Sequence, residues 1–346
     1  KLRFVGANNV ITSQVGTTTN LDGIFSILGT DFVSISNLSF VESAANTTAT
    51  TAMEWGIGLF NLNGTSPFDG CQNDTIRNCT ITLNRTIATP SKGIFMAHQQ
   101  AGSTTALAPT ATADLHNNNA VYGCTFSNMI TAVYFGGATS ANDQGNDIGG
   151  SSVATGNSMT NVIGALYSSI GAVTCTYQTN ANISYNTINN TANGGTNAIA
   201  TAWGIYAYGP GCTYTVNNNS ITFVEAAIST AYAVYGIYGN ASGANITALN
   251  NAVDITEVAG GSAVNNIAIF LPNGLNTNIS SNTVKQTMAL SGTTYGIYTT
   301  SAGVLNVNGN TITQTSTAAT SSQFYSIVNG GTAISETVQN NIFLNS

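Results

Sequence analysis

The sequence predicts an all-β chain, wound as a right-handed parallel β-helix of about ten to eleven coils with three short strands per coil, in a single domain over residues 1–346. Three observations predict it. A phrase of Asn followed by an apolar residue returns about every 30 residues, as in TVNNNSITFV at 215–224, ISSNTVK at 279–285 and VNGNTIT at 307–313. Between returns, apolar residues alternate over short runs and show no helical period. Each run is bounded by Asn, Gly, Ser and Thr, the residues of turns. Repeats of this length, each with a few short strands, stack as a solenoid.

The first element is the strand that ends each phrase. Its anchors are Ile11, Phe40, Ile81, Phe126, Met159, Ile188, Ile221, Val253, Val284, Ile312 and Phe343. Two residues before them stand Asn9, Asn157, Asn186, Asn219, Asn251, Asn282, Asn310 and Asn341, with Leu38, Cys79 and Cys124 at the other three places. An amide turned inward at a bend has a donor end and an acceptor end, so like residues on successive coils form a hydrogen-bonded ladder. One residue earlier still, nine of the eleven positions hold Asn or Gly, the types that most readily take positive φ. That position is a turn.

A second strand is marked five residues before the anchor by Ile35, Ile76, Val121, Ile183, Val216, Ile279, Val307 and Val338. The third lies in the phrase GIF or GIY and its variants, with Ile24, Ile57, Ile94, Val133, Ala165, Ile205, Ile237, Ile267, Ile297 and Ile327. The rest of each coil supplies the crossover that parallel strands require. At about 4.8 Å per coil the rod is on the order of 50 Å long. Anchor spacing is near 30 after Met159 but reaches 41 and 45 earlier, which places loops at about 43–54, 61–75, 97–119 and 137–152.

Composition narrows the function. Hydrophobic residues make up 42 %, enough for a large core, but only 5 % are charged, against about 25 % in ordinary soluble domains. A net charge of −7 argues against nucleic acid or an anionic membrane as partner. No apolar run approaches the ~20 residues of a membrane span. Lys1 to Gly6 reads as mid-repeat, so the chain is expected to be a fragment or a processed part of a longer one. Its end strands are expected to pair with adjoining sequence or with another copy.

The five cysteines form no CxxC pair and have no nearby His, so no metal site and no cofactor is expected. Cys79 and Cys124 fall at equivalent places in consecutive coils, and Cys175 and Cys212 share the phrase CTY. Both pairs are disulfide candidates, with buried thiols as the alternative. Disulfides and many sequons would suit an extracellular or cell-surface location.

Residues flanking each anchor point outward and give a Thr-rich face, as at Thr80 and Thr82 or Thr311 and Thr313. Thr serves there as a good strand residue, or as an ordered-water array of the ice-binding kind, interrupted at Asn189, Asp254 and Lys285. A second outward row holds Phe25, Phe95, Tyr134, Tyr206, Tyr238 and Tyr298, and is the candidate recognition surface.

The recurring NxI and GIY phrases resemble the repeat of the pectate-lyase-like right-handed β-helix superfold over nearly the whole chain. The repeat style is similar to Asn/Thr/Gly-rich β-helical segments of bacterial surface proteins and secreted adhesins. The first resemblance implies cleavage of acidic polysaccharides by clustered Asp with Ca²⁺ and an Arg or Lys base, or by paired Asp. This sequence departs from that pattern, because its carboxylates are scattered. The one conceivable group is Glu54, Asp69 and Asp74 with Arg77, where hydrolysis would need two carboxylates about 5–10 Å apart. Asp143 and Asp147 in NDQGND lack the spacing of a Ca²⁺ loop and read as a solvated turn. No catalytic residue is assigned. The sequence therefore points to a non-catalytic extracellular β-solenoid, an adhesin, stalk or filament subunit that self-associates or joins further segments. A polysaccharide-active enzyme or a carbohydrate-binding module that holds surface glycans is the alternative.

Overall fold

A computed structural model of the protein describes residues 2–18, 21–85, 91–163, 170–191, 201–225, 233–240, 242–257, 265–289, 292–301, 303–317 and 323–346. The chain is a parallel β-solenoid of about nine turns, slightly fewer than the anchors imply, because anchors count strands rather than closed windings. Two strands of each winding enter a 20-stranded sheet and one enters a 10-stranded sheet. Thr213–Asn217, Ser220–Glu225 and Ala233–Asn240 make up one such set.

All eleven anchors lie in one continuous register, from Ile11 beside Phe40 to Ile312 beside Phe343. The preceding bend is turned by residues at positive φ. Asn218 sits at φ 56°, Asn250 at 54° and Gly309 at 67°. The two residues that are neither Asn nor Gly also comply, Tyr185 at 60° and Ser281 at 57°. Gly156 alone departs, at −62°, because its winding carries an insertion there. Ile148, not a residue five places before Met159, fills the second-strand column between Val121 and Ile183. The insertion thus lies at 149–156, and the expected loop at 137–152 contributes the short strands Asp143–Gln144 and Asp147–Ile148.

The asparagine ladder runs from Asn157 to Asn341. The Nδ2 of Asn157 donates to Asn186 Oδ1 at 2.9 Å, Asn186 to Asn219 at 3.0 Å, and so on through Asn251, Asn282, Asn310 and Asn341 at 2.9–3.0 Å. Each Nδ2 also donates to a carbonyl of the previous winding, as Asn219 does to Ile183 at 2.8 Å. From Asn219 to Asn341 each Oδ1 also accepts the backbone N–H of the residue beneath, as Asn251 does from Asn219 at 3.0 Å. From Asn157 to Asn310 the amides are buried, and the motif satisfies bend N–H groups that apolar side chains would leave without partners. Asn9 is not part of it. That residue is exposed and pairs in register with Leu38, which has no amide to offer.

The GIY phrase has a packing cause. Gly and Ile both face inward, which turns the residues on either side of them outward. A Cβ on Gly204 would stand 2.9 Å from Ile221 Cγ2 and 2.5 Å from Gly236 O; one on Gly236 would stand 2.4 Å from Val253 Cγ1. The second sheet therefore approaches the anchor column too closely for a side chain. The third apolar column runs Phe25, Ile57, Ile94, Val133, Val173, Ile205, Ile237, Ile269, Ile297 and Ile327. It takes Phe25 in place of Ile24 and Ile269 in place of Ile267, and Ala165 lies outside the described residues.

Neither expected disulfide is present. All five cysteines are buried free thiols. Cys79 and Cys124 are neighbours in the ladder column, but stacked residues of a parallel ladder have parallel Cα–Cβ bonds. Their Cβ atoms then stay near the ~4.8 Å strand spacing, beyond the ~3.5–4.5 Å a disulfide needs. For Cys175 and Cys212 the shared phrase misaligns the coils. Cys175 ends a second-sheet strand beside Ala207, whereas Cys212 precedes the long-sheet strand Thr213–Asn217.

Candidate recognition face

The outward side of the second sheet carries two aromatic rows, set by the inward Gly-Ile pair between them. The expected row is found in register as Phe95, Tyr134, Thr174, Tyr206, Tyr238, Phe270 and Tyr298. Phe25 does not belong to it. That residue pairs with Ile57 and packs edge-on against the anchor Phe40 at 6.1 Å, so it faces the interior. Phe270, missed because its phrase reads AIF, takes a place in the row. A second row, Trp203, Tyr235, Ile267, Tyr295 and Tyr325, was also not read from the sequence, although W-G-I-Y and Y-G-I-Y signalled it.

Many neighbouring rings stack, whereas Tyr238 meets Phe270 and Tyr235 edge-on at 5.1 and 5.0 Å. Trp203 lies 4.5 Å from Tyr206 at 26°, Tyr206 5.4 Å from Tyr238 at 26°, Phe270 4.9 Å from Tyr298 at 24°, and Tyr295 5.1 Å from Tyr325 at 16°. These rings are half-buried, except Tyr325, which is exposed. Burial and neighbouring phenols push the Tyr206 hydroxyl up to about 12, so it is a neutral donor and acceptor at any ordinary pH.

The row's lower end opens into a cleft of about 270 Å³ lined by Phe95, Tyr134, Leu107 and His98. Lys92 Nζ lies 4.2 Å above the Phe95 ring, a cation–π contact. His98 bridges Asn61 Oδ1 at 3.1 Å and Asp143 Oδ1 at 2.8 Å, and stacks on His116 at 4.5 Å. His116 Nδ1 accepts from Cys71 N at 2.9 Å and its Nε2 donates to Ala97 O at 3.2 Å, which defines a neutral ring. Burial, then the neighbouring His98, pulls its pKa down to about 4. Asp143 is fully buried and bonded to His98 and His116, whereas Gln144 and Gly145 are exposed, so the NDQGND segment is a turn with one acid drawn inside.

The members of the conceivable catalytic group have different hydrogen-bond partners. Glu54 accepts Asp22 N at 2.7 Å and has Asp22 and Lys92 as charged neighbours, whereas Asp74 accepts Val33 N at 2.7 Å and lies near Asp31. Asp69 sits by Asp31 and Asp114, and Arg77 is exposed. Burial raises both Glu54 and Asp74 to about 7. Among the described residues no group of three or more His, Cys, Asp or Glu could hold a metal ion.

On the long sheet, Thr80, Thr125, Ser158, Thr187 and Ser220 align in one row, and Thr82, Ser127, Thr160, Asn189 and Thr222 in the next. Asp254 and Lys285 then break the array with an ion pair at 3.1 Å.

No family profile matches the chain, and no curated protein is similar to it in sequence. Among solved structures it is similar to the Azotobacter vinelandii mannuronan C-5 epimerase AlgE6 A-module, at 14 % identity and a TM-score of 0.51, over 99 % of this chain and 83 % of that one. A glycoside hydrolase aligns at 11 % identity over 91 % of this chain and 37 % of that one, with a TM-score of 0.24. The first likeness shows the fold, a parallel β-solenoid shared with a carbohydrate-active enzyme. The second carries no weight.

Proposed function

We propose that this chain is a binding β-solenoid rather than a bond-cleaving one, an adhesive extracellular or cell-surface element whose contact surface is the aromatic side of the second sheet. The observation that carries this reading is the double row of half-buried rings on a rigid, charge-poor strip, because surface aromatics of this extent mark interaction sites. The carboxylates add support. Glu54 accepts the Asp22 N–H and Asp74 the Val33 N–H, so both of these buried carboxylates already serve the backbone. Incubation with a panel of neutral and acidic polysaccharides tests it: reversible retention of the protein and no new reducing ends or unsaturated products are expected. Product formation that disappears in Glu54→Gln or Asp74→Asn would reverse the assignment.

A further inference from the structure

We propose that the aromatic face between Trp203 and Tyr325 takes an uncharged, extended polysaccharide chain lying along the solenoid axis. This rests on the reading of that face as a contact surface and adds the chemistry of its partner.

The argument begins with ring geometry. Tyr206 and Tyr238, Phe270 and Tyr298, and Tyr295 and Tyr325 are nearly parallel, with centroids 4.9–5.4 Å apart. That separation exceeds a face-to-face sandwich, so the rings overlap like shingles. The rings are half-buried, with Tyr325 exposed, and the tyrosines among them add a phenol hydroxyl to the ring surface. Such a surface matches a polyol that offers C–H faces and hydroxyls side by side: the faces lie on the rings, and the hydroxyls exchange hydrogen bonds with the phenols.

Charge then selects among polysaccharides. From residue 151 onward the only charged side chains are Glu225, Asp254, Glu257, Lys285 and Glu336. One cation against four anions gives −3 for that half of the chain. None lies in the five second-sheet strands Thr201–Tyr208, Ala233–Asn240, Asn265–Leu271, Thr293–Thr299 and Gln323–Asn329. Lys285 is on the long sheet, bonded to Asp254 at 3.1 Å. An acidic glycan would find no ammonium or guanidinium for its carboxylates and would meet a net negative field. A neutral one loses nothing. Five strands at about 4.8 Å give a straight strip on the order of 20 Å long, enough for an oligosaccharide.

The experiment is calorimetric titration of the whole chain with cellohexaose and chitohexaose as neutral probes, and with hexamers of galacturonate and mannuronate as acidic ones. Neutral hexamers are expected to bind, with affinity changing less than about twofold between roughly 0.02 and 0.5 M NaCl, where screening removes charge attraction. Tyr206→Ala with Tyr238→Ala should weaken them by about tenfold or more, whereas the Phe pair, which keeps the rings, should retain most of the affinity. A melting curve matched to the parent guards against misfolding, and Tyr298→Ala provides an independent variant. Tighter, salt-sensitive binding of the acidic hexamers would overturn this inference but leave the contact surface standing. Neutral binding unchanged in all the Ala variants would place the ligand elsewhere and overturn it too. Binding of neither class would overturn the contact reading itself.

Discussion

Replacing Asp74 with Asn should stabilise the protein at pH 8 and leave it nearly unchanged at pH 4. Asp74 begins a second, shorter polar ladder on the opposite bend. Its N–H donates to Asn119 Oδ1 at 2.9 Å, and Asn119 N donates in turn to Asn146 Oδ1 at 2.8 Å. The Asp74 Oδ1 accepts Val33 N at 2.7 Å in the same manner, but its Oδ2 is buried without a partner. An Asn would keep the accepting oxygen and supply the donor that Asn119 uses toward Cys71 O at 2.9 Å. Burial, opposed by the Val33 bond and aided by Asp31, raises the carboxyl to about 7. Its unfolded value is about 3.9. The folded chain thus holds the proton more tightly, so this group's contribution is fully present below about pH 4 and is lost as pH rises toward 7. At 1.36 kcal/mol per tenfold, the gap amounts to roughly 4 kcal/mol as an upper limit, and about 2 kcal/mol is a reasonable expectation after relaxation. Urea unfolding at pH 4 and pH 8 reads it directly. A variant less stable at pH 8, or shifted equally at both pH values, would refute the reasoning.

Glu54→Gln should flatten the pH dependence with the same sign, since burial raises Glu54 to about 7 as well; melting midpoints from pH 4 to 8 check it. Asn219→Ala should cost about 3 kcal/mol, because it deprives Asn186 of the acceptor for both its backbone N–H and its Nδ2; chemical denaturation measures it. Gly236→Val should cost more than about 3 kcal/mol, because its first carbon already meets Val253 Cγ1 at 2.4 Å and Ala268 O at 2.6 Å. Alkylation in denaturant without reductant should label all five cysteines, and mass spectrometry counts them.

What could be read from the sequence depended on whether one residue type repeats in one place. The anchors and Asn157–Asn341 were legible because each winding offers the same side chain to the same neighbour. The Asp74–Asn119–Asn146 ladder was not, because its windings differ in length and only three members share the chemistry. Cys175 and Cys212 show the converse error, in which an identical phrase sits at two different stations of the coil. Of the aromatic face, Tyr206, Tyr238 and Tyr298 were visible through GIY, whereas Phe270 and the row from Trp203 needed the register. His98, His116 and Asp143 come together only because strands of neighbouring windings abut, and no spacing within the sequence signals that.

The concentration of charge before residue 151 invites a catalytic interpretation, and the hydrogen bonds argue for another. Asp74 accepts Val33 N at 2.7 Å, Glu54 accepts Asp22 N at 2.7 Å, Glu42 accepts Met53 N at 2.8 Å, Asp114 accepts Phe68 N at 2.9 Å and Asp143 accepts His116 N at 3.0 Å. Each buried carboxylate therefore takes an N–H group that lies outside the strand ladders, the same task that Asn Oδ1 atoms perform after residue 157. Where loops of unequal length interrupt the coil, successive amides no longer stack, and a carboxylate can accept without needing a partner above it. The acids of the first half and the asparagines of the second are two answers to one problem, the unpaired N–H of a bend. Buried carboxylates of the first half thus serve the backbone, while the second-sheet strands from Thr201 to Asn329 carry no charged residue.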